Sequence, residues 1–259
     1  NHCPPLRTMN AITASSWPYP RWIAHRGAGK LAPENTLAAF RLGAQHGYRM
    51  FECDAKLSAD GVPFLLHDAT LERTTNGHGT GGDLPLGALA QLDAGSWHSR
   101  AYAGEAVPTL EALARFCIAN GYFLNIEIKP TPGQEETTGR VVGETAARLW
   151  QGQAVPPLFS SFKPDALAGA QATAAHIPRA LLLDTLWDGC LDTARRLGCV
   201  AIVCNHALWD AALVAQVKDM GMRTLSYTVN DDWAAQRLIA LGTDGIITDR
   251  VDLFSPATP

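Results

Sequence analysis

The chain has 259 residues, 47% of them hydrophobic, with a formal charge of −4 and a pI near 6.1. This is a globular composition, long enough for one large core, and its mildly acidic balance without basic runs argues against nucleic acid or an anionic membrane surface as a partner. No stretch approaches the roughly 18 uninterrupted apolar residues of a membrane span.

The opening segment NHCPPLRTMNAITASSWPYP has no basic region followed by an apolar one and does not read as a secretory signal. Met9 is a candidate natural start, with residues 1–8 a remnant of processing or cloning and 1–16 an irregular extension. The six cysteines (Cys3, Cys53, Cys117, Cys190, Cys199, Cys204) form no CxxC pair and no zinc spacing. They read as reduced core residues of a cytoplasmic protein.

Strand patterns fall at 21–25, 50–57, 62–67, 122–129, 158–162, 179–184, 200–204, 223–229 and 245–248. Between them lie helical patterns at 34–46, 109–120, 135–151, 164–174, 188–197, 210–220 and 231–241, several followed by a C-capping glycine: Gly47, Gly121, Gly198, Gly221 and Gly242. Strand–helix alternation at this length predicts an α/β fold, a single (β/α)8 TIM barrel over 1–259. Nine strands are one too many for that barrel. Asp60-Gly61 signals a two-residue hairpin turn joining 50–57 to 62–67, which leaves eight strands for the parallel ring. Pairing back from Ala59 opposite Val62 sets His67 opposite Asp54, on the same face. Residues 68–108, rich in Gly and turn residues with only a short helical pattern near 85–93, read as a small inserted subdomain over the barrel mouth.

The chemistry lies in two of these strands. In FECDAKL (51–57), Glu52 and Asp54 share a face opposite Phe51, Cys53 and Ala55; in LNIEIK (124–129), Glu127 and Lys129 share a face opposite Ile126 and Ile128. The apolar faces can pack on helices, so the charged faces must look into one polar cavity. Carboxylates about 5 Å apart repel by roughly 3 kcal/mol per pair at an effective dielectric near 20. Three such groups imply a bound cation, and oxygen-only ligands suit Mg²⁺ or Ca²⁺ better than zinc. A buried ion network of Glu127 with Lys129 or Arg26 is the plainer alternative, but it leaves two nearby histidines unexplained.

The first strand ends in His25-Arg26-Gly27, and barrel enzymes carry their catalytic groups at the C-terminal ends of strands. The mouth therefore collects His25, Arg26, Glu52, Asp54, His67, Glu127 and Lys129. Two imidazoles can accept and donate a proton near neutrality, while Arg26 and Lys129 suit phosphate oxygens. With a metal, this set fits in-line cleavage of a phosphate ester.

The residues HRG with PENT (25–27, 33–36), E-x-D (52–54), HD (67–68), EIK (127–129), SSF (160–162), YTVN (227–230) and DGIITD (244–249) together resemble the glycerophosphodiester phosphodiesterases over about residues 17–254, most of all the compact cytosolic bacterial enzymes. The resemblance implies a TIM barrel with an insertion after the second strand. It also implies metal-dependent hydrolysis of glycerophosphodiesters to sn-glycerol 3-phosphate and an alcohol. On this resemblance Glu52, Asp54 and Glu127 are metal ligands, His25 and His67 the acid–base pair, and Arg26 and Lys129 the phosphate contacts. The alcohol side is then expected beside the insertion. Phe162 and Tyr227, at strand ends, are candidate glycerol contacts, with Trp209 a weaker one. Asn35 opens a helix, where capping competes with a cavity-facing role. Asp249 is not counted as a ligand. The partner is thus a small-molecule glycerophosphodiester, with room for a homo-oligomer.

Three other readings compete. A phospholipase acting on intact lipids would need an apolar surface or anchor, and a metal- and phosphate-binding module without turnover would be expected to lack one of the histidines. A barrel glycosidase uses paired carboxylates but has no need of Arg26, Lys129 and two histidines together.

Overall fold

The computed structural model describes residues 12–13 and 16–257, so most of the expected irregular extension, and Cys3 with it, lies outside the described residues. The chain runs β1 (Trp22–Ala24), α1 (Leu37–Gln45), β2 (Met50–Leu57), β3 (Pro63–Leu65), α2 (Leu86–Leu89), α3 (Leu110–Asn120), β4 (Phe123–Ile128), α4 (Glu135–Leu149) and β5 (Leu158–Ser161). It continues through α5 (Pro164–Thr173), β6 (Arg179–Leu183), α6 (Cys190–Arg196), β7 (Ala201–Asn205), α7 (Ala211–Asp219), β8 (Arg223–Tyr227), α8 (Asp232–Ala240) and β9 (Gly245–Thr248). Every expected strand and helix is present. Eight parallel strands close in the order β1-β2-β4-β5-β6-β7-β8-β9 and back to β1, with β3 antiparallel on β2 outside the ring. The fold is the TIM barrel.

Capping side chains set where the helices begin. Thr36, Thr109, Asp210 and Asp231 each accept a hydrogen bond from the backbone N–H three residues on, at the starts of α1, α3, α7 and α8. Side-chain alternation then divides β2. Met50 points into the barrel with Ile23, Leu158, Leu182, Val203 and Leu225, whereas Phe51, Cys53 and Ala55 pack outward under the helices. The apolar plug inside the barrel supports the next inward positions up β2, which are Glu52, Asp54 and Lys56.

The hairpin register differs from the sequence expectation by one residue. Ala55 pairs with Leu65 and Lys56 with Phe64, so the neighbour of Asp54 is Leu66, whose N–H donates to the Asp54 carbonyl at 3.1 Å. The cause is a longer loop. Ser58 pairs with Val62, the Gly61 N–H returns to the Ser58 carbonyl at 3.0 Å, and Gly61 takes φ +78°, the three-residue loop with a left-handed glycine. The Ser58 hydroxyl fixes it by accepting from the Val62 N–H and bonding Asp60 Oδ1. His67 reaches the mouth because β3 ends at Leu65 and frees the chain.

Segment 68–108 has its own small core of Leu71, Leu89, Ala94 and Val107 on Phe64 and Leu66. It stands beside β2 and β3. The turn after β1, which the insertion touches through His98 on the Lys30 carbonyl, is pressed against the chain leaving β9: Gly29 has φ +60°, and a Cβ there would collide with the backbone of Asp249.

Gly29→Ala should therefore cost about 2 kcal/mol or more, against about 1 kcal/mol for Gly61→Ala, whose Cβ would meet open space. Urea denaturation midpoints of the two variants measure the difference.

Candidate active site

A cavity of about 340 Å³ opens at the C-terminal ends of the strands. His25, Arg26, Glu52, Asp54, His67 and Glu127 line one side of it. Parallel register brings the acids level: Glu52 lies beside Asn125 and Asp54 beside Glu127 on adjacent strands β2 and β4. One carboxylate oxygen from each of Glu52, Asp54 and Glu127 lies within 4.8 Å of the others, and all three residues are buried. Burial, together with Asp54, pushes the Glu52 and Glu127 carboxyls well above their usual range. Burial also raises Asp54, but Arg26, Glu127, His67 and Asn35 outweigh it and hold that carboxyl low. The cluster thus keeps protons where water or a partner would ordinarily release them. Three oxygen donors of this kind could hold a hard divalent cation.

Both imidazoles are held from behind. His25 Nδ1 lies 2.7 Å from Asp249 Oδ1, and His67 Nδ1 lies 2.9 Å from Asp68 Oδ1. Arg73 holds the Asp68 carboxyl low, and His25 and Asn230 outweigh the effect of burial on Asp249, so both acids are ionised acceptors. Each His Nδ1 therefore carries the donated hydrogen, and each Nε2 is left free for chemistry. His25 Nε2 lies 3.8 Å from Glu52 Oε2. Burial lowers the His67 pKa against the pull of Asp54.

Arg26 sits in the left-handed region, φ +55°. That strain is held by its N–H donating to Glu52 Oε2 at 3.1 Å and its carbonyl accepting from the Asn35 N–H at 3.0 Å. Its guanidinium donates to Glu34 Oε2 at 2.9 Å and comes within 3.5 Å of Asp54 Oδ2. Glu34 in turn accepts from Arg73, which grips Asp68 through Nε and Nη2. A continuous charged chain thus runs from Asp54 through Arg26, Glu34, Arg73 and Asp68 to His67.

The remaining expected residues divide. Phe162 and Tyr227 line the far side of the cavity as an edge-to-face pair, 5.8 Å between ring centres. Lys129 does not line it, but its charge favours the ionised form of Glu127. Asn35 does not line it either. Its amide donates to Asp54 Oδ2 at 3.0 Å and accepts from the Asp54 N–H at 3.1 Å, while Thr36 caps the helix. Trp209 is core, with its indole N–H donating to the Leu225 carbonyl.

Four further residues act here: Lys56, Asp68 and Asp184, to which the sequence assigns no role, and Asp249, which from its strand end would be expected only to accept local backbone donors but instead meets His25 and Asn230. Lys56 shares the parity of Glu52 and Asp54, which was the available signal. Fully buried, its ammonium donates to the carbonyls of Leu66, His67 and Lys129 at 2.9–3.2 Å, and burial brings its pKa down to about 8 against the pull of Asp54. Asp68 and Asp249 stand in motifs already noted, one beside a histidine and one far from any.

The family model for the glycerophosphoryl diester phosphodiesterase family matches residues 25–253. The chain belongs to that family. A glycerophosphodiester phosphodiesterase of Caldanaerobacter subterraneus is 33% identical over 233 residues, covering 88% of this chain and 93% of the relative. The structure of an Oleispira antarctica phosphodiesterase in complex with the product sn-glycerol-3-phosphate is 36% identical with a TM-score of 0.84, covering 92% of this chain and 96% of that one. A glycerophosphodiester phosphodiesterase of Agrobacterium tumefaciens matches at 30% identity and a TM-score of 0.74, over 92% and 99%. This family member is an enzyme, a glycerophosphodiester phosphodiesterase. Among the described residues no helix is long and apolar enough to cross a membrane.

Two outcomes follow from the site's electrostatics. Lys56→Met leaves three carbonyls without their donor and should cost about 3 kcal/mol by chemical denaturation. In metal-free protein, Glu52 and Glu127 keep protons that the unfolded chain releases near the ordinary 4.5. Stability linked to them is complete below that pH and is lost as pH rises through their raised values. The Tm of chelator-treated protein should fall as pH rises above the ordinary carboxylate range, and the rise in Tm on adding a divalent cation should grow in the same direction. Thermal melts at increasing pH check both.

Proposed function

We propose that this phosphodiesterase hydrolyses glycerophosphodiesters to sn-glycerol 3-phosphate and an alcohol by two-histidine acid–base catalysis at a single divalent-cation site. The observation that carries the reading is the buried trio Glu52, Asp54 and Glu127 flanked by His25 and His67, each fixed by its own carboxylate. The phosphodiesterase bound to sn-glycerol-3-phosphate, similar over most of its length, supports the product. Five free, buried cysteines support a reducing, cytoplasmic setting: Cys53, Cys117, Cys190, Cys199 and Cys204.

Glu52, Asp54 and Glu127 would hold Mg²⁺ or Ca²⁺, which supplies charge neutralisation at a phosphate oxygen as the phosphorus is attacked. Arg26 lines the cavity with its Nε 3.5 Å from Asp54 Oδ2 and Nη1 on Glu34, and its positive charge would draw a phosphate oxygen to this side. Lys129 adds positive charge from beside Glu127. One neutral imidazole takes at Nε2 the proton of the attacking hydroxyl, from water or from the glycerol 2-position through a cyclic phosphate that water then opens, and the other, entering as the imidazolium with hydrogen on both nitrogens, delivers its Nε2 proton to the departing alcohol oxygen. Asp249 and Asp68 stabilise whichever ring becomes cationic and keep both in the reactive tautomer.

His25→Ala and His67→Ala should each lower turnover by about 10²–10⁴-fold with unchanged melting. Asp249→Asn should lower kcat by at least about tenfold through loss of the His25 tautomer. A coupled assay for glycerol 3-phosphate, with chelation and Mg²⁺ or Ca²⁺ add-back, measures all three. Full activity in the chelated enzyme, or in both histidine variants, overturns the reading.

A further inference from the structure

The cavity has two unlike halves. His25, Arg26, the acid trio and His67 all come from β1, β2, β4 and the chain after β3. The other half is carried by β5, β6 and β8, and its lining contains no basic side chain: Phe162, Leu182, Asp184 and Tyr227. Asp184 follows β6, which stands directly across the ring from β1 and its His25-Arg26. Register builds this wall. Leu183 pairs with Cys204 and Asn205 with Tyr227, so Asp184, Asn205 and Tyr227 are lateral neighbours at the tops of three adjacent strands. Asp184 Oδ1 accepts from the Tyr227 hydroxyl at 3.1 Å and from Asn205 Nδ2 at 3.2 Å. Both donors converge on one oxygen. Oδ2 has no hydrogen-bond partner among the described residues, and the side chain is exposed at the mouth.

An uncharged acceptor such as Asn would satisfy Tyr227 and Asn205 equally well, so the structure has no need of the negative charge. No cation within the cavity wall answers it on this side. Beside it stand the aromatic faces of Phe162 and Tyr227. A fixed carboxylate next to an edge-to-face aromatic pair is the environment that recognises an organic ammonium, through charge and through cation–π attraction. We propose that this half is a subsite for a cationic alcohol group, with Asp184 as its specificity-determining residue. The proposal rests on the hydrolytic reading above and names its substrate class: glycerophosphodiesters of amino or quaternary-ammonium alcohols, in preference to those of neutral polyols. The insertion contributes no lining residue, so the alcohol is recognised by the barrel strands and not, as the sequence suggested, by segment 68–108.

The test compares kcat/KM for glycerophosphocholine and glycerophosphoethanolamine with that for glycerophosphoglycerol, in the wild type and in Asp184→Asn. The wild type should favour the cationic substrates, and the substitution should cut the cationic-to-neutral ratio by about tenfold, mainly through KM. Salt should cut the wild-type ratio but not that of the variant. An unchanged ratio overturns the proposal, as does an equal fall for all substrates, which would assign Asp184 to the glycerol 3-phosphate moiety. A second measurement needs neither turnover nor a variant: NMR titration of the wild type with choline and with its uncharged isostere 3,3-dimethylbutan-1-ol. Choline should bind about tenfold more tightly, and equal binding overturns the subsite. If choline is preferred but no glycerophosphodiester is cleaved, the hydrolytic reading has failed and the cation subsite stands.

Discussion

Three carboxyl groups occupy one buried volume at the top of the barrel, and the rest of the site is arranged around the energy of holding them there. Their closeness is enforced by the backbone, since Asp54 and Glu127 are register partners on paired strands and Glu52 lies one inward position below Asp54. Side-chain rotation cannot relieve them. Among the lysines and arginines of the described residues, only Arg26 lies within 4 Å of the trio, and Glu34 shares it. Without a metal the cluster keeps protons, which is why two of its members are raised while the third is low. The protein therefore gathers three acids at one point where a divalent cation could take the place of the retained protons.

The groups around the trio repeat one device. Asn35 uses both ends of its amide on Asp54, donating to the carboxylate and accepting from the backbone N–H; Asn230 does the same to Asp249. A side-chain amide holds donor and acceptor in a fixed fork, so each aspartate is set in position and rotamer together. Asp249 then orients His25, while Asp68, held by Arg73, orients His67. Lys56 ties three carbonyls around the same corner. Reactive atoms are thus fixed at one further remove, and the fixing residues come from chain segments as distant as 68–73 and 230–249.

What the sequence revealed follows from periodicity. Inward and outward positions on β2 and β4 repeat every second residue, so Glu52, Asp54 and Glu127 were legible as a cluster before any coordinates. The eight-strand ring was legible from alternation with helices. The hairpin register was not, because Asp60-Gly61 can close a two- or a three-residue loop, and the Ser58 hydroxyl decides for the longer one. Asp249 and Asp184 were illegible for another reason. Each is a single acid after an apolar strand, a position where a solvated turn residue is equally ordinary, and only closure of the barrel brings Asp249 to His25 from 224 residues away. Lys56 had the right parity, yet a lysine near a strand end is usually solvated, and only the hairpin that buries it reveals its role.

The two halves of the cavity also differ in how freely they can change. On the side of β1, β2 and β4, Arg26, Asp54 and both histidines belong to a network in which each member orients the next, so a substitution anywhere disturbs the chemistry. The side of β5 to β8 meets that network through a few side-chain hydrogen bonds, from Ser160 to Asn125, from Ser161 to the Ile128 carbonyl and between Asn230 and Asp249. Phe162, Asp184 and Tyr227 hydrogen-bond or pack mainly among themselves and with their own strands. On the function and subsite proposed above, that division would let substrate selection vary on one arc while the acid trio, the histidines and their supports stay fixed on the other. The insertion belongs to the fixed arc. By bringing Asp68 and Arg73 to His67 and Glu34, it braces that histidine, and on the proposed reading the alcohol pocket would be shaped by the strands across the barrel.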